Sequence, residues 1–440
     1  MENFGLAYLT SFLRLHGIEV LVYNADYPIK REPQNVQNIN YRNYNDRLQA
    51  SIPRLREHLT TVLSRYRPRI VGISTTTLGI PSSIITANII KETSPECFIV
   101  VGGPGPTITP HEYKEIPSVD AIVSGEGEFS MLDIASTVLG NRKTALSEID
   151  GIYYRSSSGQ LEFTRPRKQI DDLDTIPFPD RTRHFYMNGT PGEHFYTNSS
   201  WLHFSRGCPY GCKFCSTRNT WGKHGFRMRS LESSFEEIRY LYNTYNQRKF
   251  CIYDDLFTVS TERVMHFCEK IRKEHIDISW EFLSRIDRLS LPLIRAVKDA
   301  GCRRIQIGVE TASERLLELS GKKTTLLQIR DAASLLHAEN LDFLAFFIIG
   351  FPSETKDEIL DTLAFIDEIK PHYVDLSAFT PFPGTDYYEE LKKEGKITRL
   401  LPWDNYNGNF NYTGTMSDLE YRGLVEHAFD WCVQYNAAKR

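Results

Sequence analysis

Three of the eight cysteines, Cys208, Cys212 and Cys215, lie close together in the sequence. They stand in the segment Ser205-Arg-Gly-Cys-Pro-Tyr-Gly-Cys-Lys-Phe-Cys215, with the spacing C-x3-C-x2-C. Random placement of eight cysteines would produce this spacing in roughly three chains per thousand of this length. The glycines and the proline favour a compact loop that turns three thiolates towards one point. The pattern therefore predicts a metal centre.

Two kinds of metal centre suit three clustered cysteines. Zinc normally takes a fourth protein ligand, and His203 or His224 is near enough in the sequence to provide one. A cubane iron–sulfur cluster held by three thiolates instead keeps one iron open. The amino and carboxylate groups of S-adenosylmethionine (SAM) can chelate an open iron, and a reduced cluster can then donate one electron to the sulfonium.

The cysteine motif, with the aromatic residue Phe214 before its last cysteine, resembles the signature of the radical SAM superfamily. The resemblance implies a [4Fe–4S] cluster on Cys208, Cys212 and Cys215. It also implies cleavage of SAM to methionine and a 5′-deoxyadenosyl radical, which abstracts hydrogen from an unactivated carbon of a small-molecule substrate. A protein such as flavodoxin or ferredoxin would supply the electron.

From Trp201 onward, strand patterns alternate with helix patterns. This alternation predicts a partial (β/α)6 barrel whose active face lies at the carboxyl ends of the strands. Strands are expected near residues 202–205, 249–253, 279–283, 304–308, 343–349 and 374–378. The remaining cysteines lie in apolar strand or helix patterns and are expected to be buried packing residues: Cys97, Cys251, Cys268, Cys302 and Cys432.

Polar residues and a glycine follow the expected strands, and their chemistry suits SAM. Acidic groups can hold its ammonium or ribose hydroxyls, an arginine can pair with its carboxylate, and a glycine admits the adenine close to the backbone. The alternative for each carboxylate is a solvated loop or a helix cap. In the family, the motifs that these residues resemble contact or border SAM, which implies a SAM site formed by Phe214, Tyr253, Asp254, Asp255, Arg285, Glu310, Gly350 and Glu354.

Residues 4–140 also alternate between helical and strand patterns, with continuous apolar strands such as Cys97–Val101. This arrangement predicts an α/β, doubly wound, Rossmann-like domain with a parallel sheet. Small and polar residues follow its strands, at the edge where such sheets bind ligands. The glycines there either admit a ligand or only form tight turns.

The order of these elements resembles the cobalamin-binding domain that precedes the barrel in one class of radical SAM enzymes. Matching stretches are Gly5-Leu-Ala-Tyr-Leu9, Val71-Gly-Ile-Ser74, Val101-Gly-Gly-Pro104 and Gly125-Glu-Gly-Glu128. The resemblance implies a cobalamin site formed by Ser74, Thr75, Thr76, Leu78, Gly102, Gly103, Gly125 and Glu126.

Two features depart from that domain. The family has a strand before the Gly-Leu-Ala-Tyr helix, whereas this sequence begins in that helix, so we expect the sheet to lack its first strand. The Asp-x-His-x-x-Gly motif, whose histidine ligates cobalt from below, is not found in the sequence, as in many radical members. The alternative interpretation is a cobalamin-type fold that binds no cobalamin.

The sequence predicts four regions: a Rossmann-like domain over 1–150, a hairpin and Pro-rich linker over 151–193, the barrel over 194–385, and a helical carboxy-terminal segment over 386–440. The polar stretch 27–52 is expected to be a surface insertion. Between the two terminal helices lie aromatic residues that either wall the substrate side or simply pack: Trp403, Tyr406 and Phe410.

The composition excludes several classes of protein. The net charge is −4, so neither nucleic acid nor an anionic membrane is an expected partner. Aromatic residues make up 12%, which argues against disorder. Neither a secretory signal nor an apolar run long enough to span a membrane is found, which predicts a cytoplasmic protein.

We therefore expect an enzyme that uses a [4Fe–4S] cluster, SAM and cobalamin for C-methylation or a related radical reaction. An alternative is a radical rearrangement or cyclisation without cobalamin. A methylthiotransferase would need three further cysteines in the amino domain, where only Cys97 is found. The last alternative is a non-enzymatic metal-binding protein.

Overall fold

The computed structural model describes residues 4–24, 44–181, 185–186, 200–222, 225–398 and 410–439. These residues form two compact units. The amino-terminal unit contains the described residues up to 186 and Asn219–Trp221. The carboxy-terminal unit contains the described residues of 200–218 and 222–439.

The amino-terminal unit is an α/β structure around a five-stranded sheet. Its order is β2-β3-β4-β5-β6, parallel from β2 to β4 and antiparallel from β4 to β6. In chain order its elements are α1 (Phe4–Leu15), β1 (Tyr23–Asn24), α2 (Tyr44–Tyr66), β2 (Ile70–Ser74), α3 (Ile80–Thr93), β3 (Phe98–Gly102), α4 (Pro104–Ile108), β4 (Ala121–Val123), α5 (Glu128–Val138), β5 (Ile152–Arg155), β6 (Leu161–Phe163) and β7 (Phe185–Tyr186).

The predicted parallel sheet is confirmed, with two differences at its margins. Strand β1 is only two residues long and pairs with β7 in a separate two-stranded sheet. The hairpin expected in the linker instead extends the main sheet, because Ile152 pairs with Val123 and is fully buried in its core. The hydrophobic pattern showed that the hairpin exists but did not show which edge it joins.

Two polar segments are also more ordered than their composition indicates. The Pro-rich stretch 171–180 packs onto α1, because Leu173 and Ile176 form a buried cluster with Tyr8 and Phe12. The end of the expected insertion, from Tyr44, is already the first part of helix α2. The rest of that stretch lies outside the described residues.

The carboxy-terminal unit contains a six-stranded, all-parallel sheet in the order β15-β14-β13-β12-β11-β8. The expected partial barrel with six strand–helix units is confirmed. In chain order its elements are β8 (Ser200–Leu202), β9 (Ser205–Arg206), α6 (Thr217–Trp221), β10 (Arg227–Met228), α7 (Leu231–Tyr245), β11 (Lys249–Ile252), α8 (Thr261–Lys273), β12 (Ser279–Arg285), α9 (Leu291–Asp299), β13 (Cys302–Glu310), α10 (Glu314–Leu319), α11 (Leu326–Ala338), β14 (Asp342–Ile349), α12 (Lys356–Ile369), β15 (Tyr373–Ala378), α13 (Asp386–Lys393) and α14 (Asp418–Ala437).

Alternate residues of each strand lie on opposite faces of this sheet. On β14, Phe343, Ala345, Phe347 and Ile349 are buried in the core beneath the helices. The residues between them, such as Phe346, are therefore left for the concave face. The strand register aligns Arg285, Gly308, Phe346 and Asp375 in one row across that face. The fold thus places the polar residues of the strand ends together.

The two expected terminal helices are confirmed as α13 and α14. Of the three aromatic residues expected between them, Trp403 and Tyr406 lie outside the described residues. Phe410 is half-exposed and stacks on Tyr412 with 5.4 Å between ring centroids. In the part of the chain that the structure describes, we find no helix with both the length and the apolar character needed to cross a bilayer.

Candidate active site

The three clustered cysteines lie on the loop between β9 and α6, where all three are partly buried, whereas the other five cysteines are buried as expected. Asp255 holds both ends of this cluster loop (residues 207–217). Its carboxylate accepts hydrogen bonds from the N–H of Gly207 at 3.2 Å and from Oγ1 of Thr217 at 3.0 Å. Gly207 has a φ of +92°, and a Cβ there would lie 2.5 Å from the carbonyl oxygen of Gly225. The loop path therefore requires glycine at this position.

A turn after helix α10 supports the middle of the cluster loop. The N–H of Lys213 donates to the carbonyl of Ser320 at 2.8 Å. A Cβ on Gly321 would lie 3.2 Å from the carbonyl oxygen of Gly211, so the two backbones are in close contact. The N–H of Cys215 donates to the carbonyl of Cys212 at 3.1 Å, which closes a tight turn.

Arg285, at the end of β12, brings a positive charge to the cysteines. Its Nη1 lies 3.8 Å from Sγ of Cys212, and Asp287 holds its other side through two hydrogen bonds of 2.9 and 3.0 Å. Burial raises the pKa of Cys212, while Lys322 and Arg285 lower it. Burial likewise raises the pKa of Cys208, to about 11. The two cations favour a bound, negatively charged cluster over free thiols.

Glu310, at the end of β13, forms a buried ion pair with Lys322. Nζ of Lys322 lies 2.7 Å from Oε1 of Glu310, and both side chains are less than a tenth exposed. A Cβ on Gly308 would overlap both Oε1 of Glu310 and Nζ of Lys322. Gly308 therefore provides the space for the pair. Sequence reasoning found Glu310 but missed Lys322, which lies beyond a helix where only the fold brings it near.

Asp254 and Tyr253 have different environments at the end of β11. Asp254 is buried and accepts hydrogen bonds from the N–H groups of Phe204 and Ser205 at 2.7 and 3.0 Å. Burial raises its pKa to about 7. Tyr253 is half-exposed and stacks on Trp201, with 4.5 Å between ring centroids and an interplanar angle of 11°. Asp254 thus secures the chain after β8, whereas Tyr253 offers an aromatic surface.

The loop after β14, residues 350–354, is called the glycine loop. Gly350 has a φ of +86°. Oε2 of Glu354 accepts hydrogen bonds from the N–H groups of Gly350 and Phe351, and Glu354 is fully buried. Burial raises its pKa to about 8. Phe351 contacts the ring of Phe214 edge-on at 5.8 Å, which connects the glycine loop to the cluster loop.

This donor set fits an iron–sulfur cluster and SAM. Within the described ranges, no three His, Cys, Asp or Glu side chains are placed so that they could bind one metal ion together. A cubane cluster holds its ligands farther apart, because each thiolate binds a different iron. Arg285, Lys322 and Glu310 supply charges of both signs next to Cys212, which suits a zwitterionic amino acid group. Of the alternative zinc ligands, His203 lies against Tyr253, and His224 is outside the described residues.

At the corresponding edge of the amino-terminal sheet, backbone groups take the place of charged side chains. The N–H of Thr75 donates to the carbonyl of Gly102 at 2.9 Å. Gly103 has φ and ψ of 98° and −175°, and a Cβ there would lie 2.6 Å from the carbonyl oxygen of Thr75. A Cβ on Gly105 would be equally close to the carbonyl oxygen of Thr76. The loops after β2 and β3 therefore pack together through glycine.

The remaining residues of the predicted cobalamin site border these loops. Gly125, with a φ of +86°, has open space around its Cβ position, and its N–H donates to Oγ1 of Thr107 at 3.0 Å. Glu126 accepts a hydrogen bond from the N–H of Ile170 at 2.8 Å. Ser74 and Leu78 are half-buried, whereas Thr76 is exposed. Small, accessible groups at this edge fit the close approach of a large cofactor.

Comparisons with known proteins agree with both units. The profile of the Radical SAM superfamily matches residues 202–366, and that of the B12 binding domain matches residues 1–135. An uncharacterized methyltransferase of Pyrococcus horikoshii is 33% identical over 75% of this chain and 71% of the relative. An anaerobic magnesium-protoporphyrin IX monomethyl ester cyclase of Rubrivivax gelatinosus is 30% identical over 80% of this chain and 62% of the relative.

A solved structure has the same fold. The radical SAM methyltransferase TsrM of Kitasatospora setae, bound to tryptophan and a SAM analog, superposes with a TM-score of 0.71 at 17% identity, over 91% of this chain and 75% of TsrM. The chain therefore belongs to the cobalamin-binding radical SAM enzymes, whose cofactors are a [4Fe–4S] cluster, SAM and cobalamin.

Proposed function

We propose that this enzyme is a cobalamin-dependent radical SAM C-methyltransferase that acts on a small molecule. The observation that carries the proposal is the cluster loop flanked by Arg285 and the Glu310–Lys322 pair, in a chain that also has a B12 binding domain and a methyltransferase relative. When bound, the reduced cluster supplies the electron for SAM cleavage, and cobalamin supplies a carrier for the methyl group.

Each residue of the site has a proposed task. Cys208, Cys212 and Cys215 ligate the cluster. Arg285 and Lys322 hold the carboxylate of SAM, and Glu310 holds its ammonium or ribose hydroxyls. The aromatic and glycine residues, Phe214, Tyr253 and Gly350, border the SAM site.

Three acidic side chains position the backbone of the site instead of contacting SAM directly. Asp254, Asp255 and Glu354 all accept hydrogen bonds from main-chain N–H groups of the loops that carry the site. Their acceptor capacity is therefore at least partly used by the protein itself. This assignment refines the SAM contacts expected from the sequence.

The proposed cobalamin site comprises the loops after β2, β3 and β4. Backbone and small side chains there border the cofactor, because Gly103 and Gly105 bring the first two loops together. The site residues proposed are Ser74, Thr75, Thr76, Leu78, Gly102, Gly103, Gly125 and Glu126.

The proposed electron donor is a flavodoxin or ferredoxin, and the proposed compartment is the cytoplasm. The donor follows from the low-potential electron that SAM cleavage needs. The compartment follows from the oxygen sensitivity of the cluster. The proposed regions keep the bounds 1–150, 151–193, 194–385 and 386–440, except that the hairpin within 151–193 belongs to the amino-terminal sheet.

Anaerobic reconstitution with iron, sulfide, hydroxocobalamin and SAM tests the proposal. We expect about four irons and one corrinoid per chain on the basis of the proposed ligands, and release of 5′-deoxyadenosine upon reduction. Full-length protein that takes up the cluster but no corrinoid would refute the cobalamin-dependent reaction.

A radical cyclisation or rearrangement is the second candidate, favoured by the cyclase relative. Deuterium-labelled SAM separates the two reactions. With the methyl group of SAM deuterated, methyl transfer produces S-adenosylhomocysteine, 5′-deoxyadenosine and a labelled product, whereas cyclisation produces 5′-deoxyadenosine without transfer of the labelled methyl group.

A further inference from the structure

The described part of the chain after β15 contacts both loops of the SAM face. The superfamily profile ends at residue 366, so that match assigns no role to these contacts. Two pieces are involved: helix α13, and the segment 410–421, which leads into α14. Together they are called the carboxy-terminal clamp.

Hydrogen bonds connect the clamp to the far end of the glycine loop. The N–H of Ser353 donates to the carbonyl of Thr413 at 2.9 Å, and Oγ1 of Thr415 donates to the carbonyl of Glu354. Ser353 has a φ of +67°, which is unfavourable for any residue but glycine. Arg315 also holds it, through bonds of 2.9 and 2.8 Å. Such a conformation persists only where its surroundings impose it.

Tyr421 packs against the near end of the glycine loop. It is 1% exposed and belongs to the core of the carboxy-terminal unit. A Cβ on Gly350 would lie 2.5 Å from the hydroxyl oxygen and 2.8 Å from Cε2 of Tyr421. Among the described residues, the hydroxyl of Tyr421 has no hydrogen-bond partner. Tyr421 therefore defines the position of Gly350 by close packing of its hydroxyl and the adjoining ring edge, and not by a hydrogen bond.

Tyr387 of α13 contacts both loops. Its N–H donates to the carbonyl of Lys213 in the cluster loop at 3.2 Å. Its ring centroid lies 6.2 Å from that of Phe351 in the glycine loop. Nζ of Lys213 lies 5.6 Å from the centroid of the Tyr387 ring and 2.8 Å from the carboxylate of Glu390. The helix thus fixes the distance between the cluster loop and the glycine loop.

We propose that the carboxy-terminal clamp positions SAM against the cluster, with Tyr387 and Tyr421 as positioning residues. The inference rests on the proposed SAM site. Because the clamp touches the protein loops and not the reacting atoms, its loss should weaken SAM binding more than it slows the chemical step.

The test uses the reconstituted full-length holoenzyme and measures release of 5′-deoxyadenosine as a function of SAM concentration. Tyr421→Leu and Tyr387→Leu should raise KM for SAM about tenfold with kcat within a factor of about two, the pattern expected when only uniform binding of SAM is weakened. Tyr421→Phe should raise KM much less than Tyr421→Leu, because the ring edge that packs on Gly350 is retained. Val425→Ala, a core truncation one turn further along α14, is the matched control for lost stability.

Direct measurements of SAM binding test the clamp independently of the proposed function. Equilibrium dialysis of labelled SAM and the SAM-induced change in the electron paramagnetic resonance spectrum of the reduced cluster both report the bound geometry without turnover. If wild type binds SAM but releases no 5′-deoxyadenosine, the proposed function fails while the clamp is still tested by these two measurements.

Glu390→Gln provides a variant that should fold normally, because its ion pair with Lys213 is partly exposed. We expect a rise of about twofold in the SAM dissociation constant, as for other exposed pairs. An unchanged SAM affinity and spectrum in both leucine variants, or the same loss in Val425→Ala, would overturn the proposal.

Discussion

The carboxyl edges of the two sheets differ in the chemical groups that form them. In the carboxy-terminal unit, the edge is formed by charged side chains that pair with one another, such as the buried Glu310 with Lys322 and the buried Arg285 with the more exposed Asp287. In the amino-terminal unit, the loops at the edge meet through backbone at Gly103 and Gly105. The first edge depends on side-chain chemistry and the second on backbone shape.

This difference predicts different sensitivities to mutation. Replacing a charged residue at the first edge leaves its partner buried and uncompensated, so the loss is electrostatic. At the second edge, removal of a polar side chain costs little, but adding a single methyl group to a glycine separates the loops. Four predictions test this contrast.

The largest expected effect is that of Cys212→Ala in the cluster loop. Without this thiolate the cluster loses one of three protein ligands and the ligand nearest Arg285. We expect loss of bound iron and of 5′-deoxyadenosine release to below about one per cent of wild type, while corrinoid uptake is retained. Iron analysis, chromatography of 5′-deoxyadenosine and the corrinoid absorption spectrum measure the three outcomes. Cys432→Ala, at a buried cysteine far along α14, is the matched control, and equal loss in both variants would contradict the assignment.

Lys322→Met should give the next largest effect. It leaves the charge of Glu310 buried without its partner at 2.7 Å, which costs about 3–5 kcal/mol of unfolding free energy. Chemical denaturation measures this loss. The double variant Lys322→Met/Glu310→Gln should recover most of the stability but not the SAM affinity. A single variant as stable as wild type would show that the pair is not buried in solution.

Gly103→Ala tests the backbone edge. Its φ and ψ of 98° and −175° lie in a region that is nearly exclusive to glycine, and the added Cβ meets the carbonyl of Thr75 at 2.6 Å. We expect a loss of about 2–3 kcal/mol together with loss of corrinoid retention. Gly140→Ala is the control, since its Cβ enters open space and only its left-handed conformation, with a φ of +80°, costs about 1 kcal/mol. Equal losses of stability and of corrinoid retention in the two variants would contradict the role assigned to the contact between the loops after β2 and β3.

The sequence was more informative about strands and motifs than about which side chains pair with each other. The strands of the barrel were predicted to within about three residues, because their apolar runs are buried beneath helices. The motifs also indicated Arg285, which lies beside Cys212, and Glu310, which pairs with Lys322. Lys322, however, gives no local signal, because its pairing with Glu310 depends on the turn after α10 returning to the barrel edge.

Long-range contacts account for the other differences from expectation. Hydrophobic alternation revealed the hairpin at 152–164, but its antiparallel pairing with β4 depends on tertiary packing. Asp254 has the sequence context of a ligand-binding acid, yet its carboxylate accepts two main-chain hydrogen bonds from the segment after β8. The periodicity of a sequence reports which residues are buried and does not report which backbone donors they meet.

The smallest expected effect concerns pH and the glycine loop. Burial raises the pKa of Glu354 from its usual 4.5 to about 8, so the folded state keeps a proton that the unfolded state has already released. Stability contributed by this group therefore falls as pH rises from about 4.5 to about 8 and is constant above that range. Glu354→Gln retains an oxygen that accepts from the N–H groups of Gly350 and Phe351 but does not titrate. Thermal melts at pH 6 and pH 9 should show a larger decrease in Tm for wild type than for Glu354→Gln. A decrease of the same size in both proteins would mean that Glu354 is ionised in the folded state. The glycine loop would then be held by a charged carboxylate, as the other pairs of this edge are, rather than by a neutral acid.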